Sequence, residues 1–135
     1  MSENIAKNVG EVMTVLLVEP DKRPTVIEIE DTLENLQSVV GGLIEVVYPF
    51  DDTVGLIMNE EGKIMSLPPN RGLLDRDGNV YDVIAGPFMV VGLTDEGFCS
   101  LTPEKLKTYE EIFHDPEAFL WDGKTLHVMP VPDAD

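Results

Sequence analysis

Turn residues cut the chain into short apolar runs, and this punctuation limits its fold more than any other feature. Met13-Thr14-Val15-Leu16-Leu17-Val18 stops at Glu19-Pro20-Asp21-Lys22, and Val26-Ile27-Glu28-Ile29-Glu30 follows. Ile27 and Ile29 share one strand face while Glu28 and Glu30 point the other way, the alternation of a half-buried strand. Leu43 to Tyr48 and Val54 to Met58 flank Pro49-Phe50-Asp51-Asp52, and Val80 to Ala85 and Phe88 to Leu93 flank Gly86-Pro87. Runs this short, bounded by turn residues, read as strands. The longest nearly apolar stretch, Ile84 to Leu93, is about ten residues and contains Pro87, against the ~20 that a bilayer requires.

Two segments break the strand pattern. In the first, Asp31 or Thr32 caps a helix, Leu33, Leu36 and Val40 form its apolar stripe, and Gly41-Gly42 ends it. Glycine enters the left-handed conformation of a helix C-terminus without a Cβ clash. The second helix starts near Thr102 with Pro103 in its first turn, a Leu101–Leu106 staple, and Leu106, Tyr109 and Phe113 on one face. Asn59-Glu60-Glu61-Gly62-Lys63 reads as a hairpin-like turn leading to Ile64-Met65. Ser66 to Val80, with Pro68-Pro69 and Asp75-Arg76-Asp77-Gly78-Asn79, reads as a surface loop of the kind that carries function. Phe119 to Val128 reads as a closing hairpin about Asp122-Gly123. Residues 1–12 have no period and read as a flexible extension. The expected fold is α+β: a curved, mostly antiparallel sheet with two helices, forming a single domain over residues 13–135.

Charge narrows the function. The chain's 135 residues hold 26 Asp plus Glu against 9 Lys plus Arg, a net charge of -17. Residues 19–61 alone carry -9. Coulomb repulsion opposes direct binding to nucleic acid or an anionic membrane, so the expected partner is a basic protein. Glu28 and Glu30 lie about 6.6 Å apart along one strand face, and Glu45 or Glu60 on neighbouring strands would extend an acidic surface. Such a surface resembles the regular negative charge of duplex DNA, though high acidity also serves solubility. The start of the chain lacks the basic and apolar pattern of a signal peptide, and the expected location is cytoplasmic.

The residues offer little catalysis. Gly41-Gly42 lacks the Lys and Ser/Thr of a phosphate-binding loop, and His114 and His127 fit no helical metal pair. A histidine placed like His114 more often meets the carbonyls at a helix end. The single cysteine, Cys99, reads as a small buried hydrophobe. Asp51-Asp52 and Glu60-Glu61 can serve acid–base or hard-cation chemistry, but solvated turns have the same composition. No cofactor, no metal and no catalytic residue is expected. Arg71, one of three arginines, stands beside Asn70 in the Pro-rich loop, where a planar guanidinium and an amide can hold a phosphate or carboxylate. It can equally pair with an acidic neighbour.

The ordered set Val15 to Pro20, Gly41 to Val47, Asn59-Glu60-Glu61-Gly62-Lys63, Leu67-Pro68-Pro69-Asn70-Arg71 and Ile84 to Phe88 resembles an uncharacterised bacterial and phage family, domain of unknown function 3846, over about residues 13–113. The resemblance implies no catalytic residue. It implies a context of phages, plasmids and conjugative elements near antirestriction-type genes, and a shared local structure around Asn59, Gly62, Asn70 and Arg71. The functional expectation is a non-enzymatic acidic interaction protein of a mobile element, a DNA-mimic-like inhibitor acting through Glu28, Glu30, Glu45 and Glu60. The alternative is a small-ligand, nucleotide-like site at Asn59, Asn70 and Arg71. Sheet edges and Trp121 leave a homo-oligomer open.

Overall fold

The computed structural model describes residues 10–132. Its strands are β1 (Val12–Val18), β2 (Thr25–Glu30), β3 (Ile44–Val47), β4 (Val54–Asn59), β5 (Pro69–Leu74), β6 (Val80–Ala85), β7 (Phe88–Thr94), β8 (Gly97–Cys99), β9 (Glu117–Trp121) and β10 (Leu126–Pro130). Helices α1 (Leu33–Val40) and α2 (Pro103–Ile112) complete the α+β fold. The main sheet runs β2-β1-β7-β4-β3, antiparallel at every pairing, and β8 pairs with the end of β7. β5–β6 and β9–β10 are separate antiparallel hairpins.

Period-two alternation gives the main sheet two cores. Met13, Val15, Ile57, Met89 and Val91 face α1 and meet Leu36 and Val40. Leu16, Val18, Leu56, Phe88 and Val90 face the other way, against Tyr109 and Phe113 at α2 and Leu73 and Ile84 of the β5–β6 hairpin. β4 is buried along its whole length because it is covered on both sides. Phe88 and Phe113 meet edge to face, with ring centroids 5.2 Å apart, a geometry the ring quadrupoles favour.

The helix ends follow the sequence. Thr32 Oγ1 accepts from Asn35 N at 3.1 Å, and Gly41 closes α1 at φ 83°. Thr102 Oγ1 accepts from Lys105 N at 3.2 Å, with Pro103 in the first turn and Leu101 buried. Leu33, expected in the α1 stripe, is exposed. No helix among the described residues is long and apolar enough to cross a membrane.

Three expectations change. Residues 60–66 form successive turns rather than a hairpin arm, with Met65 N donating to Glu61 O and Leu67 N to Gly62 O. The loop expected from Ser66 to Val80 contains β5, begun by Pro69 and irregular at Pro69/Arg71 and Leu73/Leu74. Proline is tolerated as a first strand residue, and the extra residue of a bulge re-aims its neighbours; hence adjacent Asn70 and Arg71 are both buried. Asp75 to Asn79 is a turn, as read, with Asp75 Oδ1 accepting from Asp77 N and Asn79 N. Of the expected extension, residues 1–9 lie outside the described residues, and Val12 already belongs to β1.

Candidate functional site

Asn70 and Arg71 tie the fold together from inside. Asn70 Nδ2 donates to Val18 O at 2.9 Å and to Gly86 O at 2.8 Å, joining the end of β1 to the β6–β7 turn. Its Oδ1 accepts from Arg71 Nη1 at 2.9 Å. Arg71 Nε and Nη2 both donate to Phe113 O, at 3.2 and 2.9 Å, and Nη2 also reaches Lys22 O at 2.7 Å. Nη1 further donates to Asn70 O.

The fork therefore clamps the carbonyl of Phe113, the C-cap of α2, where the helix dipole favours a cation. That place, expected for His114, belongs to Arg71; His114 Nδ1 pairs with Glu110 Oε2 at 2.6 Å instead. Burial pulls the Arg71 pKa down, while Glu117, Asp115 and Asp21 oppose the shift. No carboxylate among the described residues lies within ion-pair distance of Arg71. With 1% of its surface exposed and its donors spent on the protein, the Asn70–Arg71 pair is a structural clamp rather than an open anion cradle.

Asn59 acts similarly. Its Nδ2 donates to Val40 O at 3.1 Å and its Oδ1 accepts from Glu61 N at 2.7 Å, fastening the end of α1 to the 60–66 turns. Gly62 stands there because a Cβ would lie 2.5 Å from Ala85 O.

The four acidic candidates divide into two sites. Ile27, Ile29, Ile44 and Val46 all face the α1 core, so Glu28, Glu30 and Glu45 lie on the opposite side of the sheet. β2 and β3 are the two ends of the strand order, four strand spacings or roughly 19 Å apart, with α2 and the β5–β6 hairpin packed between them. The expectation that neighbouring strands would join Glu45 and Glu60 to Glu28 and Glu30 is therefore corrected. Glu45, Asn59 and Glu60 instead line a cleft of about 270 Å³ with Lys63, Asp82 and Ala85. At the other edge Glu28 and Glu30 are exposed and make no ion pair among the described residues. Beside them the Asp31 carboxyl is held above its ordinary range by burial and then by Glu11.

A polar cluster not singled out from sequence joins α2 to the β3–β4 connection. Tyr109 OH donates to Asp52 Oδ2 at 2.7 Å, and Lys105 Nζ reaches Asp52 Oδ1 at 2.9 Å and Thr53 Oγ1 at 2.7 Å. These hydrogen bonds hold the Asp52 pKa down. Asp51-Asp52 was visible as a pair, but its partners lie more than fifty positions away, beyond the reach of local spacing. His127 Nε2 meets Asp122 Oδ2 at 2.7 Å, and Oδ1 of Asp122 accepts from Lys124 N and Thr125 N, closing the β9–β10 turn. Cys99 is a free, half-buried thiol on β8. Among the described residues no group of three His, Cys, Asp or Glu side chains is arranged to hold a metal ion.

No curated protein and no solved structure matches the chain. Residues 13–114 match the family model described as domain of unknown function DUF3846, and the chain belongs to that family.

Proposed function

We propose that this domain is a non-enzymatic acidic interaction module that occupies the basic groove of a nucleic-acid-binding or defence protein, in the manner of a DNA mimic encoded by a mobile element. The carrying observation is the β2 edge, where Glu28 and Glu30 are exposed and without an ion pair among the described residues, and where Asp31, held above its ordinary range by burial and then by Glu11, follows them. Carboxylates gathered along one edge attract a cationic partner, so complex formation is favoured electrostatically and its on-rate falls with salt. Among the described residues no cation pairs with Glu28 or Glu30: Arg71 is buried, Lys22, Lys63 and Lys105 pair with Glu19, Asp82 and Asp52, and Arg23 donates to Pro132 O. The nucleotide-like reading loses its support, because Asn70 and Arg71 are committed to main-chain and mutual hydrogen bonds.

The test is a tagged pull-down from bacterial lysate at low and high salt, with proteins identified by mass spectrometry. A basic nucleic-acid enzyme is recovered at low salt, released as salt rises, and lost with the double variant Glu28→Lys/Glu30→Lys. Recovery that is indifferent to salt and to both substitutions sinks this assignment of the face. Because partner cations favour the ionised form of Asp31, affinity also rises with pH across the range in which that carboxyl titrates.

A further inference from the structure

We propose that the groove between β6 and the β9–β10 hairpin is a second docking surface, and that its occupant is a partner-protein segment whose apolar side chains are flanked by lysine or arginine. The groove has a volume of about 340 Å³, and Leu67, Pro69, Val83, Ala85, Phe119 and Leu126 line it. Its roof comes from strand alternation. Phe119 pairs with Val128 and Trp121 with Leu126 across the hairpin, so these four side chains share one hairpin face. Val128 packs beside Gly72, and the Glu117 carboxylate accepts from Gly72 N at 2.7 Å, which turns that face toward the β5–β6 hairpin. Trp121 and Leu126 reach past the packed part and remain 63% and 39% exposed. An exposed apolar surface rimmed by polar groups marks an interaction site.

Charge at the rim selects the occupant. The groove shares Lys63, Val83 and Ala85 with the cleft that holds Glu45, Glu60 and Asp82, so the two form one continuous surface with three carboxylates against one ammonium. That ammonium is already paired: Lys63 meets Asp82, both well exposed. Exposed pairs of this kind are weak and exchange readily for another cation. A nucleic acid or an anionic lipid surface is repelled here. A second copy of the chain would bring another acidic rim and another -17 of charge into contact. A basic segment with apolar anchors satisfies both halves of the surface. This surface stands apart from the β2 edge and does not rest on the reading given for it.

Trp121, the single tryptophan, reports the test. Wild-type protein is titrated with a short, end-capped peptide of alternating lysine and leucine, and with two controls carrying glutamate for lysine or serine for leucine. The expected result is a saturable blue shift of Trp121 emission with the lysine–leucine peptide alone, weakened by salt. Leu126→Lys lowers affinity about tenfold by removing an apolar anchor and adding a like charge. Glu45→Lys/Glu60→Lys lowers it about fivefold and flattens the salt dependence. If circular dichroism shows that Leu126→Lys does not fold, the Glu45/Glu60 variant decides. Absence of a shift, equal binding of the glutamate peptide, or indifference to the rim variant overturns the proposal. So does a dimeric free protein whose Trp121 emission is already blue-shifted, which gives the groove to a second copy.

Discussion

Replacing Arg71 by methionine distinguishes a structural clamp from a ligand-binding arginine. Methionine retains much of the side-chain length but none of the donors. It takes the guanidinium donors from the Phe113 carbonyl, which receives two of the hydrogen bonds, from Asn70 Oδ1 and from the Asn70 carbonyl. The carbonyl of exposed Lys22 returns to water. Three buried acceptors left unpaired cost about 1–3 kcal/mol each, or roughly 3–9 kcal/mol together. Release from burying an ionised guanidinium offsets part of this, leaving a net loss of about 3 kcal/mol. For a chain of 135 residues that corresponds to a fall in Tm of roughly 10 °C.

Urea and thermal unfolding followed by far-ultraviolet circular dichroism measure the loss. Arg71→Lys keeps the charge at the end of α2 but not the fork, so it falls between wild type and Arg71→Met. An arginine reserved for a ligand behaves in the opposite way: its removal leaves the free protein equally stable or more so. Arg71→Met within about 0.5 kcal/mol of wild type would refute the clamp.

Two further outcomes test the packing and the polar cluster. Gly62→Ala places its methyl against the Ala85 carbonyl and destabilises by about 1–3 kcal/mol, as overpacking does, measured by urea midpoint; unchanged stability means the two segments are not in close contact. Burial and the Asp52 carboxylate push the Tyr109 pKa above its ordinary value of 10.0. The unfolded chain therefore ionises this phenol first, so stability is full below pH 10 and declines as pH rises beyond it. Tyr109→Phe removes that part of the alkaline decline, and an alkaline unfolding profile identical to wild type contradicts the assignment.

Most of the secondary structure was readable because its signals are local. The alternation in Val26 to Glu30, Thr32 and Gly41 around α1, Thr102-Pro103 before α2, and Asp122-Gly123 between β9 and β10 each act within a few residues. β5 escaped because Pro69 and two adjacent polar residues spell a loop when read locally, and because its pairing is irregular at two places. Its strand character comes from pairing with β6, and its polar side chains are satisfied by Val18, Gly86, Lys22 and Phe113. Composition fixed the net charge of -17. Strand order alone decided where the charge stands, sending Glu28 and Glu30 to one edge and Glu45 and Glu60 to the other. The physical reason is range: propensity, capping and alternation are short-range properties of the chain. The clamp at Arg71, the Asp52–Tyr109 bond and the groove lined by Phe119 and Leu126 instead join segments separated in sequence, and only packing of the whole domain brings them together.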